Sequence, residues 1–220
     1  MQDDGKILQR NRWFARQSPG LRAALLARAR VARVDAGQWI YGTGDALNGL
    51  YGVLEGTVQM LLTLPDGETR LLDVVQSGQF FGQPARFGGG PRLVTAIAGA
   101  PSRLLHVPDQ ALADIARGEP EIWRNFAALL YGQLAGALQL AGVLIHLPPR
   151  RRVAARLALL ALGTDRVAVT QSQLAEMIGL SRKTVNGHLR ALERSGAIGL
   201  EYGHIAVHDR RRLEAMGASR

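Results

Sequence analysis

The chain of 220 residues is long enough for two domains, and its 47% hydrophobic and 20% charged residues are typical of a globular protein. It contains no cysteine, which excludes disulfides, cysteine-ligated zinc, iron–sulfur clusters and a cysteine nucleophile. A formal charge of +9 favours a polyanionic partner, either nucleic acid or an acidic membrane surface. No charged segment followed by an apolar run opens the chain, so we expect a cytoplasmic protein without a signal peptide.

The positive charge is concentrated in the last third of the chain. Residues 1–147 contain 14 basic and 12 acidic side chains, whereas residues 148–220 contain 13 basic and 6 acidic ones. A basic terminal segment beside a nearly neutral remainder favours a nucleic-acid-binding module. A solvated basic surface without a partner would give the same count, so charge leaves both interpretations open.

The first half of the chain changes from a helical to a strand-like pattern. Apolar residues recur at helical spacing over residues 11–30, and Ser18 followed by Pro19 marks a helix start. From residue 31 to 107, short apolar runs alternate with glycine-containing breaks, which predicts a β-barrel, sandwich or roll. The runs are residues 39–41, 50–54, 58–64, 70–75 and 93–97. A Pro-Asp-Gly sequence at 65–67 predicts a hairpin turn, because proline presets φ and glycine accepts a positive φ.

A short helix is predicted at residues 108–117 and a long one at about 119–147, beginning with Glu119 and Pro120 in its first turn. Apolar and small residues step by three or four along the long helix, as in a coiled coil, which predicts a homodimer through residues 119–147. These residues are Trp123, Ala127, Leu130, Leu134, Ala137, Ala141 and Leu144. Two prolines at 148 and 149 end the helix and mark the boundary between domains.

The same helix has an alternative interpretation as a transmembrane span. Residues 126–147 carry no formal charge, contain a Gly-x-x-x-Gly pattern and precede three arginines at 150–152. Two glutamines, a histidine and several glycines within the segment argue against insertion, and a buried dimer helix accounts for the same apolar character. We therefore expect no membrane partner and keep a membrane-associated sensor using 126–147 as the alternative function.

Residues 169–190 have the pattern of a helix-turn-helix. Thr170 and Gln173 form a capping box at the first helix, and Ser181 caps the second. Gly179 lies at the turn, where a positive φ is required, and apolar residues at helical spacing supply a buried face. A plain helical hairpin is the alternative. Two short apolar runs around Gly203 then predict a β-hairpin wing.

Polar residues at the starts of these two helices are the candidate DNA contacts. The fork of Arg182 matches N7 and O6 of guanine, and the amide of Asn186 matches adenine. Hydroxyl and backbone donors at helix N-termini suit phosphates. The predicted DNA-binding residues are Thr170, Gln171, Ser172, Ser181, Arg182, Lys183, Thr184, Asn186 and Arg190. Arg194, His204 and the arginines at 150–152 are further basic or titratable candidates.

Three segments of the chain resemble segments of the cAMP receptor protein/FNR (CRP/FNR) family of bacterial transcription regulators, and they occur in the same order as in that family. Residues 44–56 and 78–82 resemble its cyclic-nucleotide-binding-type β-roll, the long helix its dimerisation helix, and residues 180–185 its recognition helix. The resemblance implies an α+β fold with a jelly-roll-like β-roll sensor and N-terminal helix in 1–118, a dimerisation helix in 119–147 and a winged helix-turn-helix in 148–220.

The resemblance also implies a homodimeric regulator that binds a palindromic site on double-stranded DNA, with RNA polymerase as a further partner if it activates transcription. We find no serine–histidine–aspartate spacing, metal-ligand cluster, P-loop or paired carboxylates, and therefore predict that the chain is not an enzyme.

The departures from the family pattern bear on the ligand. Members that bind cyclic nucleotides open their phosphate-binding cassette with Phe-Gly-Glu and close it with Arg-Ser/Thr-Ala; here these triplets are Phe-Gly-Gln at 81–83 and Val-Thr-Ala at 94–96. Because a buried phosphate then lacks its guanidinium, cAMP binding in the family's manner is not expected. Arg92, on the same predicted strand face as Val94, is a partial substitute. The predicted pocket comprises Phe81, Gly82, Gln83, Arg92, Val94, Thr95, Ala96, Gln133 and Leu134.

The ligand therefore stays open between cyclic di-GMP, another metabolite and none at all. An FNR-like cluster is excluded by the missing cysteines, and haem through His106 or His146 is not expected because a lone histidine is more often structural. The recognition helix departs as well. Well-known members have Arg-Glu-Thr-Val-Gly-Arg where this chain has Arg-Lys-Thr-Val-Asn-Gly at 182–187, so a different half-site is expected.

Overall fold

A computed structural model describes residues 2–82 and 90–218, and Gln83 of the predicted pocket lies outside the described residues. The chain divides into two compact units, Met1–Leu130 and Tyr131–Arg220. In the described part, the helices are α1 (Gln2–Leu8), α2 (Arg12–Ala15), α3 (Pro19–Arg28), α4 (Asp109–Gly118), α5 (Ile122–His146), α6 (Pro149–Leu160), α7 (Gln171–Met177), α8 (Arg182–Arg194) and α9 (Arg210–Ala218).

The strands of the first unit form two antiparallel four-stranded sheets, with orders β1-β8-β3-β6 and β2-β7-β4-β5. They are β1 (Arg30–Val34), β2 (Trp39–Tyr41), β3 (Gly49–Glu55), β4 (Thr57–Thr63), β5 (Thr69–Gln76), β6 (Phe80–Phe81), β7 (Thr95–Ala98) and β8 (Ser102–Pro108). The predicted hairpin joins β4 to β5, with Gly67 at φ +84° in the turn. The α+β class and the N-terminal β-roll are thus confirmed.

Residues 93 and 94 were expected in a strand, and this prediction was wrong. Strand β7 begins only at Thr95, so Arg92 and Val94 precede it and do not share a strand face. The reason lies in the backbone of Arg92, whose N–H donates to the carbonyl of Asp45 and whose carbonyl accepts from Gly44. These bonds hold residue 92 against the loop after β2 instead of in the sheet ladder.

Two apolar clusters stabilise the first unit. One joins the N-terminal helices, β3, α4 and the start of α5, and includes Leu8, Phe14, Leu50, Leu112, Ile122 and Phe126. The other fills the space inside the roll and contains Tyr41, Tyr51, Val53, Val58, Val75, Phe81, Ala96 and Leu104. The inner cluster is rich in aromatic rings, and two of its members carry a phenol hydroxyl.

Helix α5 begins three residues later than expected. The N–H of Ile122 donates to the carbonyl of Glu119 and that of Trp123 to Pro120, so residues 119–121 form a tight turn before the first α-helical bond. The helix ends at His146, and α6 starts at Pro149, as the two prolines predicted.

The second unit contains the paired helices α7 and α8, helices α6 and α9, and a three-stranded sheet of order β10-β11-β9. Its strands are β9 (Arg166–Val167), β10 (Ile198–Glu201) and β11 (His204–Val207). Strands β10 and β11 form the predicted hairpin, with Gly203 at φ +77° in its turn. The winged helix-turn-helix is therefore confirmed.

Candidate nucleic-acid interface and effector pocket

The start of α7 has the predicted capping box. The hydroxyl of Thr170 accepts from the backbone N–H of Gln173 at 3.1 Å, and the N–H of Thr170 donates to Oε1 of Gln173 at 2.8 Å. The backbone of α7 is thereby fixed at its first turn, which positions Gln171 and the exposed Ser172 at the helix N-terminus. These residues suit a phosphate contact, since helix N-termini favour anions.

The turn between α7 and α8 also follows the sequence prediction. Gly179 has φ +65°, and the N–H of Leu180 donates to the carbonyl of Ala175 at 3.0 Å. The hydroxyl of Ser181 then accepts from the N–H of Thr184 at 3.1 Å and lies 2.8 Å from the Thr184 hydroxyl. Thr184 is consequently half-buried and engaged with the cap.

Helix α8 has a clear division between a packed and an outward face. Its buried residues are Val185, Leu189 and Leu192. Lys183, Arg190 and Arg194 are exposed on the opposite face, where Gly187 leaves open space beside the backbone. Arg182 is also exposed, whereas Asn186 is half-buried at the edge of the packed face. Arg194 was only a further candidate from the sequence, yet its spacing of four from Arg190 places it on the same face.

The wing projects one residue that the sequence analysis missed. Tyr202 at the tip is fully exposed. The neighbouring His204 has its Nε2 2.7 Å from Oε2 of Glu201, and Arg166 lies 3.8 Å from the same carboxylate. His204 therefore faces an acidic neighbour. Tyr202 directly precedes Gly203 at the predicted turn of the wing, and this position was the sequence signal that could have identified it.

The three arginines at 150–152 differ from one another. Arg151 Nε donates to the carbonyl of Gly217 at 2.9 Å, and Arg152 Nε donates to that of Leu147 at 2.7 Å. These two side chains bond to backbone carbonyls inside the second unit, so only Arg150 remains fully at the surface as a candidate DNA contact.

Inside the first unit, the guanidinium of Arg92 lies among aromatic rings. The side chain is only 4% exposed, and its Cζ lies 4.1 Å from the centroid of the Tyr41 ring. Nη2 donates to Oδ1 of Asn48 at 2.6 Å, and the Tyr51 hydroxyl donates to the same oxygen at 3.2 Å. The Tyr51 ring in turn stacks on His106 at 4.3 Å.

Burial alters the acid–base properties of these rings. Burial raises the pKa of Tyr41 to about 12, against a smaller lowering by Arg92. It likewise raises the pKa of Tyr51, although the hydrogen bond to Asn48 opposes the change. Burial lowers the pKa of His106, whose Nε2 lies 3.1 Å from the Asn48 carbonyl. Both phenols are therefore neutral at physiological pH.

The structure brings together part of the predicted pocket. Phe81 stacks on Tyr51, and Ala96 belongs to the same apolar cluster, against which Val94 packs. The hydroxyl of Thr95 accepts from the backbone N–H of Thr43 at 3.0 Å. A Cβ on Gly82 would lie 3.5 Å from Nη1 of Arg92, so this glycine borders the guanidinium. Gln133 and Leu134 are exposed on α5 within the second unit, and their place in a pocket stays a prediction.

Tyr41, Asn48 and Tyr51, which surround Arg92, were not among the residues predicted from the sequence. Both tyrosines lie in the short apolar runs at 39–41 and 50–54, which do not indicate the side chain that each one meets. In the described part of the chain, no group of three or more histidine, aspartate or glutamate residues could hold a metal ion.

Comparison with known proteins assigns both units. Residues 31–119 match the model of the cyclic nucleotide-binding domain, and residues 139–216 match that of the Crp-like helix-turn-helix domain. A cyclic AMP receptor protein of Thermus thermophilus is 32% identical over 180 residues, covering 81% of this chain and 83% of its own length. The chain belongs to the CRP/FNR family.

Other relatives agree with the assignment to CRP/FNR regulators. A CRP-like cAMP-activated global transcriptional regulator of Mycobacterium tuberculosis is 29% identical over 217 residues, covering 94% of this chain and 97% of the relative. The solved structure of FixK2 from Bradyrhizobium japonicum superimposes with a TM-score of 0.75, covering 87% of this chain and 98% of that one at 22% identity, which shows the fold alone. The chain is thus a transcription regulator with a helix-turn-helix DNA-binding domain, and its family is not one of enzymes.

Proposed function

We propose that this CRP/FNR regulator is a cytoplasmic homodimer that recognises a palindromic DNA site through α8. The supporting observation is the capped start of α8, which presents Arg182 and Lys183 at a helix N-terminus with Arg190 and Arg194 beyond them. A two-fold dimer places two such helices in successive major grooves about 34 Å apart. The DNA-binding residues predicted from the sequence are kept in this proposal, with Arg194 added.

An exposed apolar stripe on α5 supports dimerisation through residues 119–147. Tyr131, Leu134, Leu138 and Ile145 are each more than half exposed, and their spacing of three, four and seven residues puts them on one face. Leu134 belongs to both this stripe and the predicted seam, whereas the other three residues each follow a seam residue by one position. Trp123 of that seam instead packs against the core of the first unit. A second copy of this helix would cover the stripe.

The alternative membrane function rests on the same helix. Among the described residues, α5 is the one helix long and apolar enough to cross a bilayer, with a mean hydropathy of 1.6 over its most apolar window and 6% of that window buried. A dimer that forms without detergent would contradict this alternative, because a spanning helix needs lipid or detergent around its whole circumference.

The substitution Leu138→Glu tests the dimer. A carboxylate in a desolvated seam opposes association, so we expect the dimer dissociation constant to rise at least about 100-fold. Gln139→Glu is the matched control, because it places the same charge on the exposed neighbouring residue. Sedimentation velocity in detergent-free buffer measures both variants. Equal dimer stability in the two would contradict the proposed seam.

We further propose that the first unit controls DNA binding through a ligand other than cAMP, or that the dimer is active without one. The Gln at 83 and the Val-Thr-Ala triplet at 94–96 support this, since the first lacks the carboxylate of the family cassette and the second its arginine; Arg92 still brings a guanidinium to the inside of the roll. A ligand acts by binding one dimer geometry more tightly than another. RNA polymerase is a further partner if the regulator activates transcription.

Selection of bound sequences from a random duplex library at near-physiological salt tests DNA recognition, using purified protein without additives. Enrichment of a two-fold palindrome would support a dimer that is active without ligand. Binding without sequence enrichment, weakening uniformly as salt rises, would indicate that an allosteric ligand is needed. Failure to enrich any sequence after nucleotides and metabolites are added would contradict the proposed function.

A further inference from the structure

We infer that Arg166, Glu201 and His204 form a proton-dependent DNA contact on the wing, in which a proton taken up by His204 frees Arg166 to hold a backbone phosphate. The partner is the phosphate chain of double-stranded DNA. This regulation rests on the proposed function, because it acts at the same DNA-binding surface. Binding to a duplex of mixed sequence is enough to measure it, so the preferred DNA site need not be known.

The three side chains lie on one face of the three-stranded sheet of the second unit. Glu201 pairs with His204 across β10 and β11. Arg166 pairs with Ala206 across β9 and β11. Because His204 and Ala206 flank the buried Ile205 on β11, both pairs project from the opposite side of the sheet. The side chains of Arg166 and Glu201 are each more than half exposed, so this face is open to a partner.

The imidazole of His204 has an oxygen atom beside each of its ring nitrogens. Nε2 lies 2.7 Å from Oε2 of Glu201, and Nδ1 lies 3.2 Å from the backbone carbonyl oxygen of Tyr202. A neutral imidazole has a single N–H, so in either tautomer one nitrogen turns a lone pair toward an oxygen. The contact at the buried Nε2 is not aligned as a hydrogen bond, so its stability depends on the charge of the ring. Protonation supplies that charge together with a second N–H, and the surroundings of His204 therefore suit the protonated ring.

Arg166 approaches the same two side chains. Its Nη2 lies 3.5 Å from Nδ1 of His204 and 3.8 Å from Oε2 of Glu201. With a neutral ring, Nδ1 can accept from the guanidinium, and the carboxylate attracts it as well. With a protonated ring, an N–H faces an N–H at Nδ1, and the carboxylate has a cation at the shorter distance of 2.7 Å. The guanidinium is then released to bind a phosphate oxygen.

The proton also changes the net charge of this face. While His204 is neutral, the charges of Arg166 and Glu201 cancel, and protonation leaves one net positive charge. Histidine side chains gain their proton between about pH 5 and 8, so the change falls in the physiological range. One further titratable group, His208, covers Gly199 on the same face, where a Cβ would lie 2.8 Å from its Nε2. The test therefore includes a variant of His208.

The wing is placed to reach DNA that is held by α8. Strand β10 begins at Ile198, shortly after α8 ends at Arg194. Oε1 of Glu193, in the last turn of α8, accepts from the backbone N–H of Leu200 at 3.1 Å. Glu193 is the acidic group that α8 turns toward the wing, and this bond ties the two elements together. A major groove is about 12 Å wide, so a duplex on the exposed Arg190 and Arg194 has phosphate strands on both sides of α8.

Fluorescence anisotropy with a labelled duplex of mixed sequence tests the contact, at constant ionic strength and between about pH 5.5 and 8. The wild type should bind at least about fivefold more tightly at the acidic end, and its affinity should fall more steeply with salt there, as an additional phosphate contact requires. His204→Gln should lose most of this pH dependence. His146→Gln is the matched control, because His146 is exposed at the end of α5, outside the wing, and it should keep the wild-type profile.

Two variants assign the roles of the partners of His204. Arg166→Met should weaken binding at the acidic end by at least about threefold and change it little near pH 8, where the guanidinium is engaged by its neighbours. Glu201→Gln should strengthen binding near pH 8, because the face is then positive without a proton. This second variant keeps the test decisive if His204→Gln folds poorly. His208→Gln should retain most of the wild-type pH dependence.

Equal pH dependence in the wild type and in His204→Gln would overturn the inference. A pH dependence that disappears in His208→Gln instead would also overturn it, as would an equal loss of affinity at every pH in Arg166→Met. Absence of binding to any duplex at every pH would contradict the proposed function itself and the proton-dependent contact with it. Binding that is tight but independent of pH would leave the proposed function intact and refute only the role of the proton.

Discussion

The helix pair of the second unit exposes its positive charges, whereas the interior of the roll buries one. Helix α8 keeps Lys183, Arg190 and Arg194 exposed over a wholly apolar buried face. The roll buries Arg92 beside two neutral phenols and an amide. Exposed charges cost little and attract a polyanion at long range, whereas a buried charge restricts what can bind to one short-range geometry. The exposed cations of α8 thus suit a polyanion, whereas Arg92 is held among neutral side chains of the roll.

The largest expected effect concerns the apolar side of this comparison. Leu189 is fully buried on the packed face of α8, and Leu189→Ala should lower the free energy of unfolding by about 2–5 kcal/mol because it leaves a cavity. Arg190→Ala, at the next and exposed position, should change it by less than about 0.5 kcal/mol. Chemical denaturation measures both. Similar values for the two variants would contradict the division of α8 into packed and outward faces.

The interior of the roll should reveal its buried phenol at alkaline pH. The pKa of Tyr41 is raised to about 12 by burial, so the folded chain keeps a proton that the unfolded chain loses above pH 10. The free energy of unfolding should therefore decrease as pH rises from 10 to 12, by up to about 2–3 kcal/mol from this group.

Tyr41→Phe should remove that part of the alkaline decrease. Tyr202→Phe serves as the control, because Tyr202 is fully exposed at the wing tip and its replacement should leave the decrease intact. Urea denaturation at intervals between pH 9 and 12 measures the slopes. If Tyr41→Phe and the wild type had parallel profiles, the burial of the phenol would be refuted.

On the outward side, Arg182→Ala should reduce affinity for the selected DNA site by about 1–3 kcal/mol and relax the base preference at one position of each half-site. Arg117→Ala is a suitable control, since Arg117 is exposed on α4 and pairs with Asp114. Fluorescence anisotropy against the selected site and single-base variants provides the measurement. A uniform loss across all sequences would assign Arg182 to a phosphate instead of a base.

The smallest effect is expected from His106. Burial lowers its pKa below 6.5, so the unfolded chain binds a proton more readily and stability should decrease as pH falls through and below 6.5. His106→Gln should flatten this part of the profile. Melting temperatures between about pH 5 and 7.5 check the prediction. A profile unchanged by the substitution would mean that another group causes the acid sensitivity.

Local sequence patterns predicted the DNA-binding unit closely. The capping box at Thr170, the positive φ at Gly179 and the cap at Ser181 each depend on residues within a few positions of one another. The division of α8 follows from its own spacing of apolar residues. Such features can be predicted from a sequence because the interacting residues are near neighbours in the chain.

The roll was predicted as an architecture but not in its contacts. Its Gly-containing turns indicated strands, yet β1 and β8 were missed: β1 is mostly exposed and has little apolar alternation. Arg92 was expected on a strand beside Val94, whereas backbone bonds to Gly44 and Asp45 hold it in a loop. Those partners are more than 40 residues away, and nothing in the local pattern identifies them.

The amino-acid sequence alone was sufficient for the CRP/FNR assignment, the order of the elements and the helix-turn-helix. The surroundings of Arg92, the packing of Trp123 away from the seam and the shifted exposed stripe on α5 emerged only in three dimensions. Helix caps and turns are stabilised by residues close in sequence. A buried charge and a packed ring depend on side chains that only the tertiary fold brings together.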